Sequence, residues 1–215
     1  MGGCFVFCAG TFYGLREAPG AGDLILAADA GLLHCRALGL RPDLIVGDFD
    51  SMDAPEGEGP CLRLPVEKDD TDSMRALKEG LARGCREFYL YGATGGLRLD
   101  HTLANLQALA YLARHGARGY LYDRDFVYTA LENGALIIPR EVEWGLLSVF
   151  SLGERAEGVT LAGVQYPLAE GTVTCDFPIG VSNHFTAPEA AVRVRRGLLL
   201  VGWQLAEDSH RETGR

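Results

Sequence analysis

The sequence predicts an α/β domain with a mostly parallel sheet and helices on both faces, followed by a small all-β sandwich. Three observations carry that expectation. As far as about Leu131, short apolar runs alternate with segments of helical period, the pattern of a parallel sheet covered on both faces. From Gly134 onward no helical period persists, and Pro or Gly interrupts the chain every few residues, as in a sandwich. Finally, acidic residues gather where the apolar runs of the first part stop. The division falls at Asn133-Gly134, giving an α/β domain over 1–133 and a β domain over 134–215.

Each element follows from local chemistry. Cys4 to Ala9 is an apolar run that stops at Gly10, and Leu24 to Ala28 is a second run that stops at Asp29-Ala30-Gly31. Leu32, Leu33, Cys35 and Leu38 recur with helical spacing before Gly39. The third run, Leu44-Ile45-Val46, ends in Gly47-Asp48-Phe49-Asp50-Ser51, and a short strand follows at Cys61–Leu64. Thr71 or Asp72 caps a helix that carries Met74, Leu77 and Leu81 on one face and ends at Gly84. Phe88–Tyr91 is a strand broken by Gly92, Gly95 and Gly96; a helix then runs from about His101 to His115, and Tyr120–Tyr122 is one more strand. In the second part, strands are expected at 135–138, 146–151, 159–162, 172–175, 191–194 and 198–204, with a frayed tail from Asp208.

With 47% apolar and 23% charged residues among 215, the chain can bury a core. A net charge of −9 argues against a nucleic-acid backbone or an anionic membrane as partner and favours cations. No apolar run spans a bilayer and no signal segment opens the chain, so a cytoplasmic protein is expected. The six cysteines show no C-x-x-C pair, which speaks for reduced, buried thiols.

Ligands of open parallel sheets bind outside the carboxyl ends of the strands. Acids at those ends (Asp48, Asp50, Glu67, Asp69, Asp70, Asp72, Asp100) repel one another unless a cation offsets them. An all-oxygen set suits a hard divalent ion, which commonly accompanies a polyphosphate. Any one of these carboxylates alone reads as a cap or turn residue, and Asp70 as a solvated one. There is no G-x-x-x-x-G-K-[ST] and no strand-coupled G-x-G-x-x-G. Phosphates would therefore rest on Mg²⁺, on the turn Gly92-Ala93-Thr94-Gly95-Gly96, and on the fork of Arg98. His101 either orients Asp100 or a ligand, or is incidental.

Four ordered blocks resemble the signature of the thiamine pyrophosphokinase family: Ala28–Gly31, Arg41–Ser51, Glu67–Asp72 and Gly95–Asn105. The resemblance continues through Gly163–Leu168 and Gly180–Asn183 and covers nearly the whole chain. It implies a homodimer that moves a pyrophosphoryl group from ATP to the thiamine hydroxyl with Mg²⁺, thiamine lying between one subunit's α/β domain and the other's β domain. Carried over by motif, Asp48, Glu67, Asp69 and Asp100 are the metal acids, and Asp48, Asp69 and Asp100 the catalytic ones. Asp100 either deprotonates or orients the thiamine hydroxyl, or acts only as a ligand. Asp29, Gly47, Asp50, Ser51, Thr71, Asp72, Gly96 and Arg98 are implied on the nucleotide side, and Ser182 and Asn183 on the thiamine side. Val201 stands where some members place a stacking tryptophan; Trp203, on the same strand face, either substitutes for it or is a core or interface residue. Two other readings stand beside this one. A phosphohydrolase of haloacid-dehalogenase type is suggested by Asp48-Phe49-Asp50, although two strands precede that motif. A non-catalytic thiamine or nucleotide sensor is the other, disfavoured by the intact acidic blocks.

Overall fold

The computed structural model describes residues 2–48, 57, 59–65 and 69–207. Two compact units emerge: Met1–Ala108 with Gly116–Asp123, and Leu109–His115 with Arg124–Arg215.

In the first unit six strands run parallel: β1 (Cys4–Phe7), β2 (Leu24–Ala28), β3 (Leu44–Gly47), β4 (Cys61–Arg63), β5 (Glu87–Tyr91) and β6 (Arg118–Tyr122). Their spatial order is β6-β5-β1-β2-β3-β4. The chain thus builds outward from β1 to β4 and then returns to the other side of β1. That reversal opens a crevice between the carboxyl ends of β1 and β5, where open α/β sheets bind ligands.

Strand alternation decides which helix covers which face. Phe5 and Phe7 cluster with Ala27, Ile45 and Tyr91 and with Leu32 and Cys35 of α1 (Gly31–Ala37). Cys4 and Phe88 point the opposite way, toward α2 (Asp72–Ala82): a Cβ on its Gly80 would lie 2.5 Å from the Phe88 ring and 2.9 Å from Cys4 Sγ. Both faces are therefore covered. α2 is capped as its sequence suggests, the Thr71 hydroxyl accepting from Met74 N at 3.1 Å. α3 (Leu99–Arg114) starts two residues before the expected His101.

The second unit is antiparallel. One array has the order β12-β9-β14-β7 and the other β11-β10-β13-β8, the two touching where β9 meets β11 and β10 meets β14. The strands are β7 (Phe126–Glu132), β8 (Ala135–Pro139), β9 (Leu146–Ser151), β10 (Arg155–Ala162), β11 (Leu168–Thr174), β12 (Asn183–His184), β13 (Glu189–Arg193) and β14 (Leu198–Gln204). β14 is central, flanked by β7 and β9, and six of its seven residues are buried. Two strands were not foreseen. β7 borders the Asn133-Gly134 turn and goes with the second unit because it pairs with β14 along its whole length. β12 is a two-residue strand, too short to show a period.

None of the six cysteines is in a disulfide. Four are buried as expected, but Cys61 and Cys175 are exposed. No helix of the described residues is long and apolar enough to cross a membrane.

Since neither Phe88 nor Cys4 has room to retreat, Gly80→Ala is expected to lower stability. Overpacking costs about 1–3 kcal/mol and the gain in helix propensity returns up to about 1. Chemical denaturation checks this, and an unchanged or raised midpoint would mean that α2 is not seated so closely.

Candidate active site

The crevice between β1 and β5 is a cleft of about 190 Å³ within the first unit. Its walls come from four segments: Cys8–Gly10 after β1, Ala28–Asp29 after β2, Thr71–Ser73 at the start of α2, and Gly92–Gly96 after β5 with the first turns of α3.

Two of these junctions are stitched together. Cys8 N donates to Tyr91 O (2.8 Å), Gly10 N to Gly92 O (2.7 Å) and Thr11 N to Thr94 O (2.8 Å), so the parallel ladder continues past the strand ends. The Thr11 hydroxyl then accepts from Gly96 N at 3.0 Å. Such close approach requires Gly10, whose Cβ would sit 2.6 Å from Gly92 O, and Gly92, which has φ 62°. The β1 side is fixed further. His34 Nε2–H donates to Gly10 O (3.0 Å), and its ring stacks on Phe12 at 5.2 Å. The Tyr91 hydroxyl accepts from Glu17 N (2.9 Å) and donates to Glu17 O (3.2 Å). The β5 side is held by the buried Thr94, whose hydroxyl donates to Asp123 Oδ1 (2.7 Å), and by Asn105, whose Nδ2 donates to Ala93 O (2.8 Å).

Of the residues assigned to the nucleotide side, Asp29, Thr71, Asp72, Gly96 and Arg98 line this cleft together. Asp29 follows β2 with φ 50°, and its N–H bonds Val46 O of β3 (2.8 Å), which sets it beside the end of the strand that delivers Asp48. Gly47 is the last residue of β3 and is not among the cleft residues. Asp50, Ser51 and Glu67 lie outside the described residues.

Arg98 forks onto Asp100, with Nε–Oδ1 at 2.9 Å and Nη2–Oδ2 at 2.6 Å. Both side chains are exposed. The guanidinium holds the Asp100 carboxyl down at about 2. Asp69 is exposed. Asp70 is not merely solvated as expected: Lys78 of α2 grips both its oxygens at 2.7 Å. Among the described residues no three His, Cys, Asp or Glu side chains are grouped to hold a metal ion. Asp29 and Asp48 stand at adjacent strand ends and carry the oxygen donors that a hard cation takes.

In the second unit, Asn183 is buried, and its amide clamps the backbone of Tyr166, accepting from Tyr166 N (2.9 Å) and donating to Tyr166 O (2.8 Å). It therefore shapes the Gly163–Pro167 turn. Ser182 is exposed, with φ 57°. Trp203 is 8% exposed in the central strand β14, so of the two readings its burial favours the core one over stacking on a ligand. Cleft residues to which the sequence gives no site role are Cys8, Gly10, Ser73, Thr102 and Asn105, the last two inside the Gly95–Asn105 block. A glycine directly after the first strand was the one available signal for the β1 side.

Comparisons with known proteins agree with this architecture. Residues 18–121 match the family model described as thiamin pyrophosphokinase, catalytic domain, and residues 135–199 the model for its vitamin B1 binding domain. A crystal structure of a thiamin pyrophosphokinase family protein from Enterococcus faecalis is 30% identical, with a TM-score of 0.82 over 95% of this chain and 100% of that one. The chain belongs to the thiamin pyrophosphokinase family. A thiamine pyrophosphokinase of Bacillus subtilis is 27% identical over 184 residues, covering 83% of this chain and 86% of that protein. The crystal structure of the Bacillus subtilis thiamine pyrophosphokinase has a TM-score of 0.82 at 23% identity, over 95% of this chain and 100% of that one.

The Arg98–Asp100 fork gives a direct test. A carboxyl held at about 2 stays charged across neutral pH, and the pair dissolves only as pH falls through that value. Arg98→Ala is expected to return Asp100 to the ordinary carboxylate range near 4, read by carbon-13 NMR titration. An Asp100 that already titrates near 4 with Arg98 in place would show that the fork does not form.

Proposed function

We propose that the cleft at the switch point of the parallel sheet holds ATP, with the triphosphate toward Asp29, Asp72 and Arg98. The enzyme itself is an ATP-dependent pyrophosphotransferase that moves a pyrophosphoryl group from ATP to the hydroxyl of thiamine, giving thiamine diphosphate and AMP. The observation that carries the site assignment is the convergence of Asp29, Thr71, Asp72, Gly96 and Arg98 on one cleft.

The proposed Mg²⁺ ligands are Asp48, Glu67, Asp69 and Asp100, an all-carboxylate set of the kind a hard divalent cation takes. When bound, the ion offsets charge on the triphosphate. The chain's own residues supply the positioning. Thr71 fixes the start of α2, whose first N–H groups favour anionic oxygens. Arg98 has a fork already spread in plane by Asp100 and can share it with a phosphate. Asp100, forked with Arg98, is assigned to orient the thiamine hydroxyl.

On the thiamine side we assign Ser182, with Asn183 holding the neighbouring turn. A homodimer is part of the same reading, supported by the exposed Trp144, Tyr166, Phe177 and Ile179 of the second unit. The proposal also places the enzyme in the cytoplasm, with neither nucleic acid nor membrane as partner.

The assay is direct. Incubation with Mg-ATP, with and without thiamine, is expected to give AMP only when thiamine is present. Thiamine-independent phosphate would instead indicate a hydrolase, and thiamine binding without turnover a sensor. Asp100→Asn is expected to lower kcat by about a hundredfold or more with an unchanged thermal melt. Near-normal turnover in that variant removes Asp100 from the chemistry.

A further inference from the structure

The floor and the rim of the cleft differ in character. Cys8, Gly92, Ala93 and Asn105 form a buried, uncharged floor, and burial pushes the Cys8 thiol up to about 11, so it stays neutral. The rim, with Gly95–Arg98 and His101, is exposed and charged.

Asn105 is the polar side chain of that floor, 6% exposed on the second turn of α3. Its orientation is set. The Ala93 carbonyl can only accept, so the amide nitrogen must face it, at 2.8 Å. The amide oxygen is thereby turned the other way. It has no hydrogen-bond partner among the described residues, yet it is not one of the sealed, unpartnered polar atoms, which are Arg75 Nε and Thr129 Oγ1. Because Asn105 lines the cleft and is otherwise enclosed, we assign the opening left to that oxygen to the cleft. A buried acceptor left unmet costs about 1–3 kcal/mol, so a ligand that supplies a donor there is favoured.

We infer that Asn105 is a specificity residue for the nucleotide: its Oδ1 accepts a hydrogen bond from a neutral donor on the nucleoside half of ATP. This rests on the assignment of the cleft to ATP. Phosphate oxygens are themselves acceptors and are repelled by a carbonyl oxygen, so the triphosphate belongs at the rim. The nucleoside offers two kinds of donor, the ribose hydroxyls and the exocyclic amine of the base. The ribose and the base are told apart by analogue. Meanwhile the second contact, from Nδ2 to Ala93, makes the same side chain a brace for the glycine turn.

The test is equilibrium binding by calorimetry, in the presence of Mg²⁺, of ATP, 2′-deoxyATP, 3′-deoxyATP and ITP to the full chain. The natural chain is expected to bind one of the three analogues about tenfold to a hundredfold more weakly than ATP. A deoxy analogue singled out in this way identifies a ribose hydroxyl, and ITP identifies the base amine. In Asn105→Leu, ATP is expected to weaken to the level of that analogue, so that the ratio between them falls to about twofold. A role confined to bracing the turn would weaken both ligands and leave the ratio as it was. That result overturns the inference, as does a natural chain that binds all four nucleotides equally, a measurement that needs no variant to fold. Thiamine-dependent AMP formation is followed separately: its absence counts against the functional reading, while the binding ratio judges Asn105 alone.

Discussion

The geometry of the site depends on the seam between the turn after β1 and the turn after β5. Three main-chain hydrogen bonds, from Cys8, Gly10 and Thr11, carry the parallel pairing beyond the strands, and the Thr11 hydroxyl closes it on Gly96. Parallel strands adjacent in space but far apart in sequence usually diverge at their ends, where the chain turns into helices. Here they remain joined for several residues. The ends of two elements 85 residues apart thus become one rigid edge. Side chains cannot intrude on this seam, which explains glycine at positions 10 and 92 in terms of space as well as backbone freedom.

Everything functional about the cleft follows from where that edge lies. The strand order reverses at β1, so the edge sits at the switch point, where open α/β sheets bind their ligands. α1 and α2 cover opposite faces of the sheet, and the beginning of α2 reaches the crevice with a capped, N–H-rich turn. The charged groups gather at the lip and the buried neutral groups at the base. Such a division suits a ligand with one anionic end and one neutral end, which is the shape of a nucleoside triphosphate.

Much of this was legible in the residues. Alternating runs gave the α/β part, the loss of helical period marked the change to antiparallel strands, and acids after Val46 and near Thr71 marked the end of β3 and the start of α2. The reasons for what was not legible are physical. β7 follows β6 after only Asp123-Arg124-Asp125, and its partnership with β14 is made across more than sixty residues, beyond any local window. Asn105 sits in a helix whose period it does not disturb, and only the fold shows that its amide meets Ala93 and the cleft. Trp203 shares a strand face with Val201, as its spacing requires, but both are buried, which the period of a strand does not reveal. Likewise a lysine two turns into α2 gave no hint that it would hold Asp70.

The central claim is that the seam between β1 and β5 forms the nucleotide edge, and amide hydrogen exchange tests it most directly. On addition of Mg²⁺ and a non-hydrolysable ATP analogue, slowed exchange is expected at residues 8–11, 71–74 and 92–96, with little change along β7 and β14. Unaltered exchange in those three segments at saturating nucleotide, with protection falling on the second unit instead, would contradict it.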